Sequence, residues 1–232
     1  MKLFPILFLL SSGLASAATI RLVDSIGGAI PDGSISGLSR SLTLDRPGED
    51  IVGITVDLSI SSLSGNNAFL GDLYVYLTDG TTLVTLANRP GRSASNPDGY
   101  DDNFGFAVTF DDTATIDFHT YRLGVTGDND SPLLAIMTGT FQADGRLTSP
   151  LDVVTDDPRT SQLSDFFGLS AERTFTLFAA DLSTGAMHQV NEWALNVETI
   201  PEPSAALLGI LSLGVLAFRR SRPRPTRSLR DA

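Results

Sequence analysis

Short segments in which apolar and polar residues alternate constrain this chain more than any other feature. In the stretch ITVDLSI, Ile54, Val56, Leu58 and Ile60 share one side of an extended chain. The same period of two runs through GDLYVYLTDG, FGFAVTFDD, RTFTLFAAD and EWALNVE, and it is typical of half-buried strands. The sequence therefore predicts an all-β fold, an antiparallel β-sandwich or jelly roll.

Polar clusters separate these segments and predict their turns. Asp79-Gly80 is a strong hairpin signal, and the stretch from Ser161 to Gly168 predicts one short helical turn. Tyr74 and Tyr76 share the outer side of their strand, where they either stack on sugar rings or pack against the domain itself. Packing is the favoured interpretation, and Tyr100 is expected to be exposed in an acidic loop.

Charge and cysteine content exclude several function classes. Residues 18–200 hold nine arginines, no lysine and 25 acidic side chains, a formal charge of −16. Such a surface repels nucleic acid and anionic lipid, so no nucleic-acid partner is expected. The chain has no cysteine, which excludes disulfides and thiol catalysis.

The first 17 residues predict a secretory signal peptide, with a helical apolar core. Lys2 supplies the positive charge, Leu3 to Leu10 the apolar core, and Ala15 and Ala17 the small residues at the cleavage site. We expect cleavage after Ala17 and export of the remaining chain.

The last 34 residues, 199–232, predict a sorting and anchor segment. Pro201, Glu202 and Pro203 precede an uncharged apolar run, 204–218, and a basic tail, 219–232, in which Arg219, Arg220 and Arg222 flank the run. Fifteen helical residues span roughly 22 Å, so the run predicts a short transmembrane helix in a locally thinned bilayer. The arginines place the tail in the cytoplasm and the β-domain outside.

This combination closely resembles the PEP-CTERM sorting signal of Gram-negative bacteria. The resemblance implies that an exosortase, a membrane processing enzyme, recognises the Pro-Glu-Pro motif. It also implies a transient stay at the inner membrane, then the cell surface or extracellular matrix, in an exopolysaccharide or biofilm context. The alternative is a permanent tail anchor.

The ordered segments of residues 50–198 resemble the P domain (P/Homo B) of subtilisin-like proprotein convertases. The matching pieces are Gly71-Asp72-Leu73, Phe110-Asp111-Asp112, the turn from Leu163 to Gly168, and Trp193-Ala194-Leu195. The resemblance implies a jelly-roll β-sandwich. The organisation expected is a signal peptide at 1–17, N-terminal strands at 18–49, the sandwich at 50–198 and the sorting segment at 199–232.

Catalytic motifs are missing from the sequence. The two histidines are His119, expected on a strand, and His188, expected in a hairpin loop, and both are expected at the surface or on an edge strand. There is no G-x-S-x-G elbow for acyl transfer. The four glutamates of the β-domain are scattered, so a pair of carboxylates for glycoside hydrolysis is not evident. The sequence predicts a protein that is not an enzyme.

Calcium is the one cofactor that the residues suggest, because it prefers oxygen ligands from loop aspartates. The candidate ligands occupy three loops: Asp98, Asp101 and Asp102; Asp111 and Asp112; Asp128 and Asp130. The favoured interpretation is that these are turn-forming aspartates without metal.

Together these features predict an exported structural or adhesive protein that binds extracellular polysaccharide. A P-domain-like accessory module that stabilises a secreted protease in trans is the alternative. A glycan-active jelly roll is a weaker one, for which the sequence offers no clear catalytic carboxylate.

Overall fold

A computed structural model describes residues 16–63, 65 and 68–202 of the chain. It contains nine strands among those residues: β1 (Ala18–Asp24), β2 (Gly28–Ala29), β3 (Ser34–Ser62), β4 (Leu73–Thr78), β5 (Leu83–Asn88), β6 (Phe106–Phe110), β7 (Met137–Phe141), β8 (Ser170–Asp181) and β9 (His188–Pro201). Three short 3₁₀ turns cover Leu70–Asp72, Phe118–Thr120 and Leu163–Phe166, and one helix, α1, covers Tyr121–Val125. The fold is therefore all-β, as predicted.

The 29-residue strand β3 pairs with different neighbours along its length. Its first part pairs with β8, and its second part pairs with β9 and β6. The register shifts between Asp45 and Asp50, where Gly48 has a φ of +74°. The nine described strands form one continuous, β-sandwich-like sheet in the order β1-β9-β3-β8-β4-β5, with β2 beside β9 and the pair β6-β7 beside the second part of β3. The predicted boundary at residues 49/50 lies inside β3.

Among the described strands one pair, β6 and β7, is parallel and not antiparallel. Parallel neighbours need a long crossover connection, and residues 111–136 supply it. This connection contains α1, which the sequence did not predict because five residues are too few to show a helical period.

Alternating residues form the core, as predicted. Ile54, Val56, Leu58 and Ile60 are at most 5% exposed. On the neighbouring strand β9, the side chains of Trp193, Leu195 and Val197 are fully buried. Phe106, Phe110, Phe118 and Phe141 pack edge to face under the crossover, with ring centroids 4.9–5.6 Å apart.

The two ends of the described fold lie on neighbouring strands. Ala18 of β1 pairs with Thr199 of β9, and the Glu202 N–H donates to the Gly48 carbonyl at 2.9 Å. Within the described residues, no helix is long and apolar enough to cross a membrane. The predicted signal helix and transmembrane helix fall on positions outside that range.

Candidate functional site

A polar cavity of about 280 Å³ opens where the loop after β6, the end of β7 and the loop before β8 meet. It is lined by Asp112, Gln142, Arg159, Thr160, Ser161, Gln162 and Asp165. Its volume is close to the lower end of small-molecule sites, roughly 300–1,000 Å³. Asp112 is the one lining residue that the sequence predicts as a site residue.

Asp112 fixes one wall of this polar cavity. Its two carboxylate oxygens accept the backbone N–H groups of Leu163 at 3.0 Å and Ser164 at 2.7 Å. These amides begin the 3₁₀ turn at Leu163–Phe166, which confirms the short helical turn predicted there. The loop after β6 is thereby joined to the loop before β8.

Arg159 fixes another wall. Its Nη1 donates to the Gln142 side-chain oxygen at 2.5 Å, Nη2 to the Ala143 carbonyl at 2.7 Å, and Nε to the Asp144 carbonyl at 3.0 Å. The Gln142 amide in turn donates to the Asp112 carbonyl at 3.3 Å. The cavity's polar groups are thus held in place before any ligand arrives, which lowers the entropic cost of binding.

A buried histidine, His119, fixes Asp144, whose backbone carbonyl accepts from Arg159. His119 Nδ1 lies 2.9 Å from the Asp144 carboxylate, and its Nε2 lies 3.0 Å from the Arg92 carbonyl. Asp144 also accepts the Asn88 backbone N–H at 3.0 Å. His119 is fully buried in a 3₁₀ turn, so its predicted place at the surface of a strand is wrong. The turn is buried because its first residue, Phe118, packs in the phenylalanine core.

His188 is likewise fully buried, and the prediction of an exposed loop residue is wrong. It is the first residue of β9, and its Nδ1 lies 2.7 Å from the Asp181 carboxylate at the end of β8. Its Nε2 is buried without a hydrogen-bond partner in the described structure. Neither histidine is accessible to a substrate in this conformation.

The predicted calcium residues of the first loop are tied to an arginine. Asp102 is 3% exposed and accepts from Tyr121 Oη at 2.5 Å, Arg122 Nε at 2.8 Å and Leu133 N at 2.6 Å. The Arg122 guanidinium also pairs with the exposed Asp101, and this hydrogen bond lowers the pKa of Asp101. Arg122 thus takes the place that a cation would occupy.

The other candidate ligands form local turns. Asp111 accepts from Thr113 at 2.8 Å, and Asp128 from Ser131 N at 2.7 Å and Asp130 N at 2.9 Å. Asp98 and Asp130 are exposed. In the part of the chain that the structure describes, no three His, Asp or Glu side chains are grouped closely enough to hold a metal.

The tyrosines divide into two environments. Tyr76 stacks on Phe178 with centroids 4.7 Å apart, and Tyr74 packs against both, so these half-buried rings cover one another. Tyr100 is only 3% exposed, contrary to the prediction. Its hydroxyl donates to Asn129 at 2.6 Å, and burial raises its pKa to about 12.

The processing residues lie at the edges of the described fold. Ala17 is exposed just before β1, Pro201 ends β9, and Glu202 follows it exposed. The remaining predicted processing residues fall outside the described residues: Ala15, Pro203, Arg219, Arg220 and Arg222.

Comparisons with known proteins identify no family for this chain. No family model matches it, and no curated protein matches it. A chain in the crystal structure of the Aeromonas sobria serine protease in complex with the chaperone ORF2 is 13% identical, with a TM-score of 0.41. That match covers 79% of this chain and 27% of the other. The present chain therefore spans about a quarter of the length of the chain it matches.

Proposed function

We propose that this protein is exported and binds a neutral extracellular polysaccharide through the polar cavity at Asp112, as a non-enzymatic component of the cell surface or matrix. The observation that carries the proposal is the set of carboxylate, amide, hydroxyl and guanidinium groups around one opening, among which Asp112, Gln142 and Arg159 are fixed by hydrogen bonds. Sugar hydroxyls both donate and accept hydrogen bonds, so they suit a lining of mixed donors and acceptors.

The charge of the domain restricts the kind of polysaccharide that can bind. Two carboxylates, Asp112 and Asp165, and one guanidinium, Arg159, line the cavity, and the domain as a whole carries −16. A polyanionic glycan is repelled by this field, whereas a neutral one is not.

The positions at which the described strands begin and end support the export and sorting part of the proposal. The first described strand begins at Ala18, directly after the predicted signal cleavage, and the last described strand ends at Pro201, inside the Pro-Glu-Pro motif. Cleavage at both positions leaves every described strand intact. The jelly-roll connectivity and the likeness to P domains belong to this proposal, supported by the long strand β3, whose two parts pair with different strands.

Binding is tested by calorimetric titration of neutral polysaccharide fragments from the host matrix into the purified protein. Thr160→Ala combined with Gln162→Ala removes two exposed lining side chains and is expected to weaken binding at least tenfold. The control Asp130→Ala with Thr138→Ala changes exposed side chains elsewhere and leaves the affinity unchanged. Equal affinity of the two double variants would refute the site.

The same titrations address the glycan-active alternative. Asp112 and Asp165 are the cavity's two carboxylates, and hydrolysis requires two. Reducing-sugar release that stops in Asp165→Asn would make the protein a hydrolase and overturn the non-enzymatic part of the proposal.

Processing is tested separately, by intact mass and C-terminal peptide mapping of the protein recovered from its host's surface and medium. We expect a chain that ends close to Pro201–Pro203. A chain that ends at Ala232 in the membrane fraction would make the tail a permanent anchor and remove the exosortase from the proposal.

A second candidate function is a protease accessory module acting in trans. One observation favours it: α1 and the loop after it expose several large apolar side chains at 47–88%, namely Leu123 and Val125 of the helix and Leu134 and Ile136 of the loop. Exposed apolar patches are typical of protein interfaces. Co-purification with a secreted subtilisin-like protease, lost in Leu134→Asp but kept in Leu151→Asp, would support this function.

A further inference from the structure

The first two residues of the Pro-Glu-Pro motif belong to the folded sheet. Pro201 is the last residue of β9 and pairs with Glu49 of β3. Pro201 has no N–H to donate, but the next residue continues the contact, because the Glu202 N–H donates to the Gly48 carbonyl at 2.9 Å. We call this contact of Pro201 and Glu202 with Gly48 and Glu49 the motif latch.

The motif latch is held from one side. Up to Thr199, β9 lies between two strands, because Thr199 pairs with Ala18 of β1 and with Ile51 of β3. In the described structure no residue of β1 pairs with Ile200 or Pro201. Strand ends open more readily than strand interiors, so the latch is the part of β9 that we expect to open first.

A small polar cluster stabilises the motif latch. The Glu49 carboxylate accepts a hydrogen bond from the hydroxyl group of Thr199, which is fully buried. Arg46 donates to the same carboxylate through Nε at 3.2 Å and Nη2 at 2.6 Å. The hydrogen bonds from Thr199 and Arg46 lower the pKa of Glu49, so this carboxylate is ionised at neutral pH. Glu49 therefore joins the β3 side of the latch to the buried end of β9.

The apolar run follows the latch closely. It begins at Ser204 in the sequence, two residues after Glu202, and two residues of fully extended chain span at most about 7 Å. If the run lies in the membrane, as proposed above, only this length of chain lies between the folded domain and the bilayer. Layers of packed protein need roughly 10 Å, so an enzyme active site does not fit into the gap while the latch is closed.

Recognition of the motif also requires backbone groups that the latch occupies. A peptide segment that is recognised in extended form binds through its own N–H and C=O groups. The Glu202 N–H is already bonded to Gly48, and Pro201 is already paired with Glu49. A processing enzyme and β3 therefore compete for the same two residues of the motif.

We propose that the motif latch must open before the C-terminal segment is cleaved, so that the stability of this contact governs the rate of sorting. The inference rests on the processing proposed above and does not involve the polysaccharide cavity. When opening and closing are fast relative to the cut, the rate of cleavage follows the fraction of open molecules. A weaker latch then gives faster processing.

Pulse-chase labelling of the full chain in its host measures the half-time of cleavage. Glu49→Ala removes the acceptor of Thr199 and Arg46, and it should shorten the half-time by about two- to tenfold, the change in an equilibrium that one net hydrogen bond produces. Glu192→Ala is the matched control, because it removes an exposed acid of the same strand, away from the latch, and it should leave the half-time unchanged. Equal half-times in the parent and both variants would overturn the latch alone. A parent chain that is never cleaved would overturn the processing proposal as well.

A short Gly-Ser insertion between Ile200 and Pro201 separates an effect of the latch from a general loss of stability. The insertion keeps β9 up to Ile200 and moves the motif away from Gly48 and Glu49. We expect processing at least as fast as in Glu49→Ala, and no further acceleration when the two changes are combined. The same acceleration by Glu49→Ala with and without the insertion would show that Glu49 acts by another route, and the proposal would be wrong.

Hydrogen exchange of the Glu202 amide provides a measurement that needs no processing enzyme. In the purified full chain in detergent, the N–H bonded to Gly48 should exchange more slowly than an unbonded amide. Glu49→Ala should speed this exchange by about two- to tenfold, and Glu192→Ala should not change it. Exchange at the unprotected rate in the parent would contradict a closed latch even where the C-terminal segment is cleaved.

Discussion

Asp45 on β3 lies directly opposite Glu172 on β8, so two exposed carboxylates face each other across an antiparallel pair. Like charges at such positions destabilise a sheet. The pair adjoins the register shift between Asp45 and Asp50, where β3 passes from pairing with β8 to pairing with β9.

Glu172→Lys should therefore stabilise the protein. Replacing the repulsion with an attractive pair is expected to raise the free energy of unfolding by about 0.2–1 kcal/mol, measured by urea denaturation at low salt. Glu198→Lys is the control, because Glu198 faces Thr19 and Gly53 rather than another acid. An equal gain in both variants would point to net charge instead of the pair.

Asp102→Ala should be strongly destabilising. It removes the acceptor for Tyr121, Arg122 and the Leu133 amide. Among the described residues, the 5%-exposed arginine then keeps one carboxylate partner, the exposed Asp101. Breaking a buried ion pair from one side costs about 3–5 kcal/mol, which thermal or urea unfolding would detect. Asp101→Ala removes the exposed partner of the same arginine and should cost less than about 1 kcal/mol. Similar losses in both would refute this division.

Asp24 should contribute to acid unfolding. Its hydrogen bonds with Arg40 lower its pKa in the folded state, below the value of about 3.9 in an unfolded chain. The stabilisation is then present above that unfolded value and is lost as the pH falls through the folded one. At pH 7, Asp24→Asn should lower the urea midpoint, and the difference from the parent should vanish near pH 2. A pH-independent difference would show that charge is not the cause.

Asp72 should show the opposite dependence. Burial raises the pKa of its carboxyl group, and the nearby Asp181 adds to the rise. Because the pKa is higher in the folded state, the folded chain binds the proton more tightly than the unfolded chain does. The stability that this gives at low pH is lost as the pH rises through the folded pKa. We expect Asp72→Asn to match the parent below about pH 4 and to be more stable at pH 7, by urea unfolding at both pH values. A loss of stability at pH 7 would mean that the contacts of Asp72 with Ser183 and Arg89 outweigh its burial.

Calcium should not raise the melting temperature. The candidate aspartates are engaged by Arg122 or by turn amides, and no metal-binding group is formed among the described residues. Differential scanning fluorimetry with millimolar calcium, compared with chelator, measures this directly. A rise with calcium that the chelator reverses would return the loop aspartates to the list of ligands.

The candidate site was only partly predictable from the sequence. Asp112 and the turn from Ser161 to Gly168 could be identified from composition and spacing, and both contribute to the cavity. Gln142 and Arg159 could not, because they are brought together by the parallel pairing of β7 with β6. A pattern of period two shows that a strand is half-buried, but it does not show which strand is its neighbour.

The histidines show the same limit. A single His in a polar stretch is typically a surface residue, yet His119 and His188 are enclosed and paired with Asp144 and Asp181. Nothing local marks those pairs, since a buried polar group becomes stable only when the fold brings it a partner.

By itself, the sequence determined which residues are extended, which of their faces is apolar and where tight turns occur, as at Ile54 to Ile60 and Asp79-Gly80. Those properties follow from local backbone preferences and from the cost of exposing apolar side chains. Only the tertiary structure decided that β3 pairs with β8 along its first part and with β9 and β6 along its second, that two buried histidines face aspartates, and that β1 is an edge of the described sheet. These features depend on contacts between distant segments, whose geometry is set by the packing of the whole domain.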